Sequence, residues 1–298
     1  MEWSGAKKIV VVLLVVLNIV LAGLNFYQRS DSSMTGSQER AIFEVLSKNG
    51  ITIYTELLTD VVPMYRLETG APQFRKEVLE EIFFDGAKTV VTLGTDNYMY
   101  TGSDRILIID GNKGELIFDD MATRADEITR QEAASLARSF LRKCEAEFGG
   151  YTESVVFDTE YGWMLVYCAE YRGTSVFSKY FTFYIGDDGI YRVDFSYYAI
   201  HGYGGDVQDV LACDEALLAF MRKWKECGNA ERATIQNIEI GYELPLSEEA
   251  ETGSVYYLEP HYRITLANEA EQYLVNGYSG QVVKKEWGRA DLLDEAEE

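Results

Sequence analysis

Histidine is scarce in this sequence, with two copies, His201 and His261, and that scarcity removes most chemistry that would run through an imidazole. Neither stands in an HExxH or HxH pattern or in a Cys/His nucleophile pattern. There is also no GxSxG elbow, P-loop or strand-borne GxGxxG. Cysteine is equally thin: Cys144, Cys168, Cys213 and Cys227 show no CxxC or other metal-ligand spacing, which argues against zinc. They fit either free thiols in an ordinary core or one of three disulfide connectivities in an oxidising compartment. Basic residues are outnumbered, 27 Lys plus Arg against 49 Asp plus Glu, for a formal charge of −22. Such a chain repels phosphate polymers, so nucleic acid is excluded as a partner. The acidity serves solubility or a cation-binding surface. Proline is rare, with 4 copies against 21 Tyr and 14 Phe, and this composition favours strands over a helical bundle. The expected class is α+β.

Carboxylate pairs do occur, at Asp119-Asp120, Asp187-Asp188 and Glu248-Glu249, but in so acidic a chain abundance removes their value as a glycosidase signal. Asp187-Asp188-Gly189 is turn chemistry. The run Asp110-Gly-Asn-Lys-Gly-Glu115 lacks the fifth-position ligand and the distal Glu of a twelve-residue calcium loop. No catalytic residue, metal site or cofactor is indicated, and the chain is expected not to be an enzyme.

What is present in strength is a long apolar run, Ile9 to Tyr27, preceded by Lys7 and Lys8 and followed by Arg29 and a polar stretch. It matches the ~20 helical residues that cross a bilayer. Two lysines before it and one arginine after it place the N-terminus in the cytoplasm and the rest outside. A cleaved signal peptide, cut after Val20-Leu21-Ala22, is the competing reading. A lipoprotein is excluded, because Leu24 follows Leu21-Ala22-Gly23 where cysteine would have to stand. Asn18 and Asn25 are seven residues apart and share a helix face with Leu14 and Leu21. A carboxamide in hydrocarbon favours a hydrogen bond to another helix. Asn25 can equally meet water at the interface beside Tyr27.

Beyond the anchor, QERAIFEVLSK (38–48) has helical spacing and stops at Asn49-Gly50. A strand-like run from Ile51 follows, bent at Pro63, and Pro72 opens a helix with Phe74, Val78, Leu79, Ile82 and Phe83 on its apolar face. Three segments, Arg105–Asp119, Phe181–Phe195 and Gln272–Trp287, are apolar runs around Gly-containing turns and read as hairpins. Thr129-x-x-Glu132 is a capping box opening a helix whose buried face is Ala133, Leu136, Phe140 and Leu141. A second helix near Asp214 presents Ala216, Leu217, Phe220, Met221 and Trp224. Glu132-Ala133 and Glu215-Ala216 stand 83 positions apart, as do Cys144 and Cys227, so the last two segments look duplicated. Each is expected to be a helix followed by three or four antiparallel strands. The division expected is 1–8 cytoplasmic, 9–27 transmembrane, 28–37 linker, 38–122 an α+β module, and 123–205 and 206–298 two helix-plus-meander modules. The second of these carries an acidic tail. Tyr197, Tyr198, Tyr203, Tyr256 and Tyr257 suggest either a contact surface or sheet core, and His201-Gly-Tyr-Gly-Gly205 a flexible loop that could touch a ligand. The contact candidates are His201, Tyr203 and Tyr257.

The opening residues carry a family signal. Met1-Glu2-Trp3-Ser4, the Lys7-Lys8 pair, an apolar span containing Leu17-Asn18-Ile19, and a helix-strand beginning resemble the YycI proteins over about the first 30 residues. YycI and YycH proteins are single-pass regulators of the cell-wall sensor kinase WalK in Gram-positive bacteria, with helix-on-sheet, PepSY-like extracytoplasmic parts. The resemblance implies partners: a WalK-like sensor histidine kinase, a YycH-like protein, and the bilayer around the anchor. It marks Trp3 as an interface residue with Lys7, Lys8, Tyr27 and Arg29, and Leu17, Asn18 and Ile19 as helix-contacting. The Val-rich span and the four cysteines depart from the family. The alternative function is a PepSY-like module that binds a peptide or wall fragment, or inhibits a peptidase, outside the membrane.

Overall fold

In the computed structural model of the chain, Thr35 sets the first helix: its hydroxyl accepts the Gln38 N–H while the Gln38 carboxamide accepts the Thr35 N–H. Helix α1 (Gly36–Lys48) therefore begins two residues earlier than its apolar spacing suggests, and it ends where Gly50 turns at φ 80°. Residues 34–70, 75–84, 88–92, 97–119, 128–159, 161–227, 232–245, 255–267 and 271–286 are described, with Leu14 and Leu17. The rest of the expected anchor, the linker before Met34 and the acidic tail lie outside them. Among the described residues no helix is long and apolar enough to cross a membrane.

The expected strand-like run divides into β1 (Ile51–Ile53) and β2 (Met64–Gly70), with Pro63 immediately before the second. From there the chain runs three times from a helix into a four-stranded antiparallel meander. The first unit is α2 (Lys76–Phe83) with β3 (Thr89–Thr92), β4 (Asn97–Thr101), β5 (Arg105–Asp110) and β6 (Lys113–Phe118). The second is α3 (Arg130–Phe148) with β7 (Tyr151–Thr159), β8 (Gly162–Tyr171), β9 (Thr174–Gly186) and β10 (Gly189–Ser196). After β11 (Ala199–Gln208) the third is α4 (Cys213–Glu226) with β12 (Ala233–Glu243), β13 (Val255–Leu266), β14 (Glu271–Asn276) and β15 (Val282–Glu286). All three expected hairpins form, and α3 and α4 begin at the positions the 83-residue offset relates. The cysteine pair is not equivalent, since Cys144 is buried inside α3 and Cys227 is exposed past the end of α4.

The units join edge to edge. β6 pairs with β10, while β9 meets β12 in a short parallel joint. β2 pairs with both β13 and β11, and β1 lies parallel to β12. Helices α2 and α3 bury Leu79, Phe83, Ala137 and Phe148 against Leu107, Leu165, Phe181 and Phe195 of their sheet. Helix α1 joins α4, with Ile42 and Leu46 packed beside Leu217 and Phe220 over Ile235 and Tyr262. The helix-free faces of the second and third meanders meet, with Val166, Cys168 and Phe177 against Leu274. The order is therefore helices, sheet, sheet, helices.

One expectation about α3 fails. Leu136 is 39% exposed, because Ala133, Ala137, Leu141, Cys144 and Phe148 form the stripe that meets the sheet. Small alanines let the helix lie close, and Leu136 is left on its flank, lining a cleft of about 790 Å³ between α2 and α3. The three buried cysteines are free, and burial pushes the Cys144 and Cys213 thiols up to about 12 and about 11. Both are inert thiols packed as small apolar groups.

Candidate binding surface

Tyr203 lies on β11, opposite Leu67 of β2, and Tyr257 lies on β13, opposite Glu68 of the same strand. Cross-strand partners share a face, and adjacent residues of one strand point to opposite faces. Tyr203 and Tyr257 therefore stand on opposite sides of the sheet, although both are about 40% exposed. His201 goes with Tyr257: its ring lies against Gly70 and its Nδ1 is 3.9 Å from a Glu68 oxygen. The three expected contact residues do not share one site. A register shift at His201 turns that residue to the far face.

Each face gathers partners that the linear sequence does not announce. On the first, Tyr203 stacks on Tyr65 with ring centroids 5.1 Å apart and meets Tyr171 edge-on at 5.3 Å. The guanidinium of Arg172 sits 5.1 Å from the Tyr203 ring and 5.6 Å from the Tyr171 ring. Arg172 occupies the β8–β9 turn at φ 52°, a left-handed conformation that costs a non-glycine residue about 1 kcal/mol. Two cation–π contacts of ~0.5–1 kcal/mol each are enough to offset it. On the other face, a Cβ at Gly204 would stand 2.8 Å from the Tyr257 ring, so only glycine lets that ring lie on β11. Arg66 pairs with Glu259 at 2.7 Å and covers the Tyr278 ring. Of the remaining expected tyrosines, Tyr198 is buried against Tyr256, and Tyr197 packs on Phe148.

A cluster of charge lies between the sheets. Arg263 of β13 is 1% exposed, pairs with Glu239 at 2.7 Å, and donates to Ser154 and to Cys168 Sγ across the seam. Its guanidinium lies 4.0 Å from the Phe177 ring. Nearby, Glu243 accepts from Ser178 and pairs with Lys285 at 3.1 Å. Burial holds the adjacent His261 below its ordinary pKa, and therefore neutral. Arg263, Glu243 and His261 are buried while Glu239 and Lys285 keep an edge in water, and the pairs across the seam join modules. Among the described residues no cluster of His, Cys, Asp or Glu could hold a metal ion.

Leu14 and Leu17 are helical and about half exposed. Asn18, Ile19, Leu21, Asn25, Trp3, Lys7, Lys8, Tyr27 and Arg29 lie outside the described residues, as does most of the stretch that resembles YycI. No known protein family matches the sequence, and no curated protein does. Several solved structures are similar to it, these two among them. One is an uncharacterized protein from Eubacterium rectale, at 11% identity and TM-score 0.49 over 80% of this chain and 91% of that one. The other is the C-terminal domain of YpeB from Bacillus megaterium, at 12% identity and TM-score 0.37 over 70% and 95%.

Proposed function

We propose that this chain is a non-catalytic binding module, tethered to the outer face of a bacterial cytoplasmic membrane, that contacts a partner polypeptide through the Tyr65–Tyr171–Tyr203–Arg172 surface. The observation that carries the reading is that surface itself: Tyr65 and Tyr203, stacked and each 40% exposed, beside the partly buried Tyr171 and an exposed arginine held in an unfavourable backbone conformation. Tyr and Arg are the residues on which binding energy concentrates, because rigid rings gain area at little entropic cost. Tyr203→Ala is expected to weaken capture of the partner by about 30-fold, a hot-spot loss of ~2 kcal/mol, while the thermal midpoint stays within a few degrees. Capture of a partner from detergent-solubilised membranes measures this. Unchanged capture by Tyr203→Ala removes the surface from the proposal.

The resemblance of the first 30 residues to YycI supplies the finer part: a regulator of a WalK-like sensor histidine kinase, working with a YycH-like protein through the anchor helix. Asn18→Leu is expected to weaken that association about fivefold, the ~1 kcal/mol of an interhelical hydrogen bond in lipid, without altering the unfolding of the outer domain. A wild-type preparation that recovers neither a kinase nor a YycH-like chain sinks this part. Binding of a free peptide or wall fragment at Tyr203 would then support the PepSY-like alternative.

A further inference from the structure

The first meander is apolar on both of its faces. Tyr100, Leu107, Ile109 and Leu116 point toward α2 and α3 and are buried. Val91, Met99, Ile106, Ile108 and Ile117 point the other way, as the registers Val91↔Met99↔Ile108 and Ile106↔Ile117 require. This second set belongs to none of the buried clusters of the described residues: Met99, Ile106, Ile108 and Ile117 are partly exposed, and Val91, on the edge strand, is 41% exposed. A sheet with one wet face alternates apolar and polar residues; a strand such as Arg-Ile-Leu-Ile-Ile-Asp (105–110), apolar on both sides, is the pattern of a sheet covered twice.

The molecule shows what covers such a face. Through the pairings Ile117↔Arg192, Glu115↔Asp194 and Asp194↔Thr182, the open face runs on without a break into the outer face of β8 and β9. There, Val166, Cys168 and Phe177 are covered by the helix-free face of another helix-plus-meander unit. We infer that the open β3–β6 face is a self-association surface, on which a second copy of the chain packs its own β3–β6 face about a two-fold axis. The occupant is then the same kind of unit, in the same face-to-face arrangement, supplied in trans.

Charge is confined to the ends of the face. Glu115 and Asp194 at the inner border share Arg192, which lies 3.1 Å from Glu115 and 2.7 Å from Asp194, and the Tyr184 hydroxyl donates to Asp194, so one net negative charge per copy is left at that border. That charge sits at the border and not in the apolar centre, so the dimer need not enclose it. At the outer end Asp110 faces Lys113, next to Asn97, giving a polar rim around an apolar centre. Each copy carries a formal charge of −22, so salt should strengthen the pairing, the reverse of a contact held by ion pairs.

The test is sedimentation equilibrium of the full chain in detergent micelles at about 0.05 and 0.5 M salt. The expected result is a monomer–dimer equilibrium that tightens at the higher salt. Ile108→Asp should raise the dimer dissociation constant roughly 100-fold, since each copy would bury an unpaired carboxylate. Val91→Asp, on the most exposed of these apolar residues, should act in the same direction without touching the α2–α3 core. A wild-type chain that stays monomeric overturns the inference. So does a dimer indifferent to both substitutions, which would be held by the anchor helices or by another surface. Tyr203→Ala should leave the dimer intact and Ile108→Asp should leave partner capture intact, so this inference and the proposed binding surface can fail separately.

Discussion

Replacing Arg263 by alanine is expected to cost about 3 kcal/mol of stability, read as a lowered urea midpoint. Three losses add. The guanidinium–Phe177 stack at 4.0 Å disappears, a cavity opens between two sheets, and Ser154 loses its donor. Glu239 contributes less to the loss than a sealed partner would, because its side chain is 25% exposed and water can replace the arginine. Arg263→Met is the informative comparison. Methionine's thioether is shorter but apolar and flexible and fills most of the space beside Phe177 and Cys168, so that variant should fall within about 1 kcal/mol of wild type. If alanine and methionine are equally damaging, the ion pair is what matters and the packing account is wrong. If alanine is harmless, the seam does not hold the second and third meanders together.

Arg263 also shows where a linear reading stops. Along β13, Tyr262, Ile264 and Leu266 alternate with His261, Arg263 and Thr265, which reads as a strand with one dry and one wet face. The alternation assigns the faces correctly, since Tyr262, Ile264 and Leu266 belong to the α1–α4 core. It says nothing of destination: the polar side is buried against another sheet, with His261 and Thr265 as hidden as Arg263. Polarity reports a face only while water is the default neighbour, and a second sheet removes that default. Local signals fared better because their physics is local. Thr129 with Glu132 starts α3, and the three Gly-containing turns close three hairpins. The repeat of a helix and four strands was legible in the last two units from the 83-residue offset. It was missed in the first, whose α2 is only 8 residues long.

The binding surface was half legible for a related reason. Of the two readings open for them, Tyr203 and Tyr257 follow the exposed one, but which side of the sheet each occupies depends on the registers of β11 and β13 against β2. Those registers pair strands more than a hundred residues apart in the chain, and one shift at His201 reverses a side chain. Tyr65, Tyr171 and Arg172 enter the cluster from two other places. The one local hint was Arg172-Gly173, a turn pair in which arginine stands where Asn or Gly is usual.

Gly241→Ala is expected to be nearly as damaging as Arg263→Ala, at about 3 kcal/mol, although it adds a single methyl group. The parallel joint between β9 and β12 consists of Gly241↔Ser175 and Tyr242↔Val176. A Cβ at 241 would stand 2.6 Å from the Ser175 carbonyl oxygen and 2.4 Å from the Phe177 ring. The ring could swing, but it is the surface on which Arg263 rests. The carbonyl belongs to the joint and can yield only by opening it. The damage should therefore be local first: amide protection falls along the start of β9 and the end of β12, while β4 and β5, on the far side of β6, keep theirs. Gly150→Ala is the control, since a Cβ there meets nothing within 4 Å, and its midpoint should not fall. Because Gly241 and Arg263 share Phe177, the two losses should not add in the double variant, which should be less damaged than their sum by at least ~0.5 kcal/mol. Strict additivity would mean that the joint and the charged seam are independent, and that Phe177 does not link them.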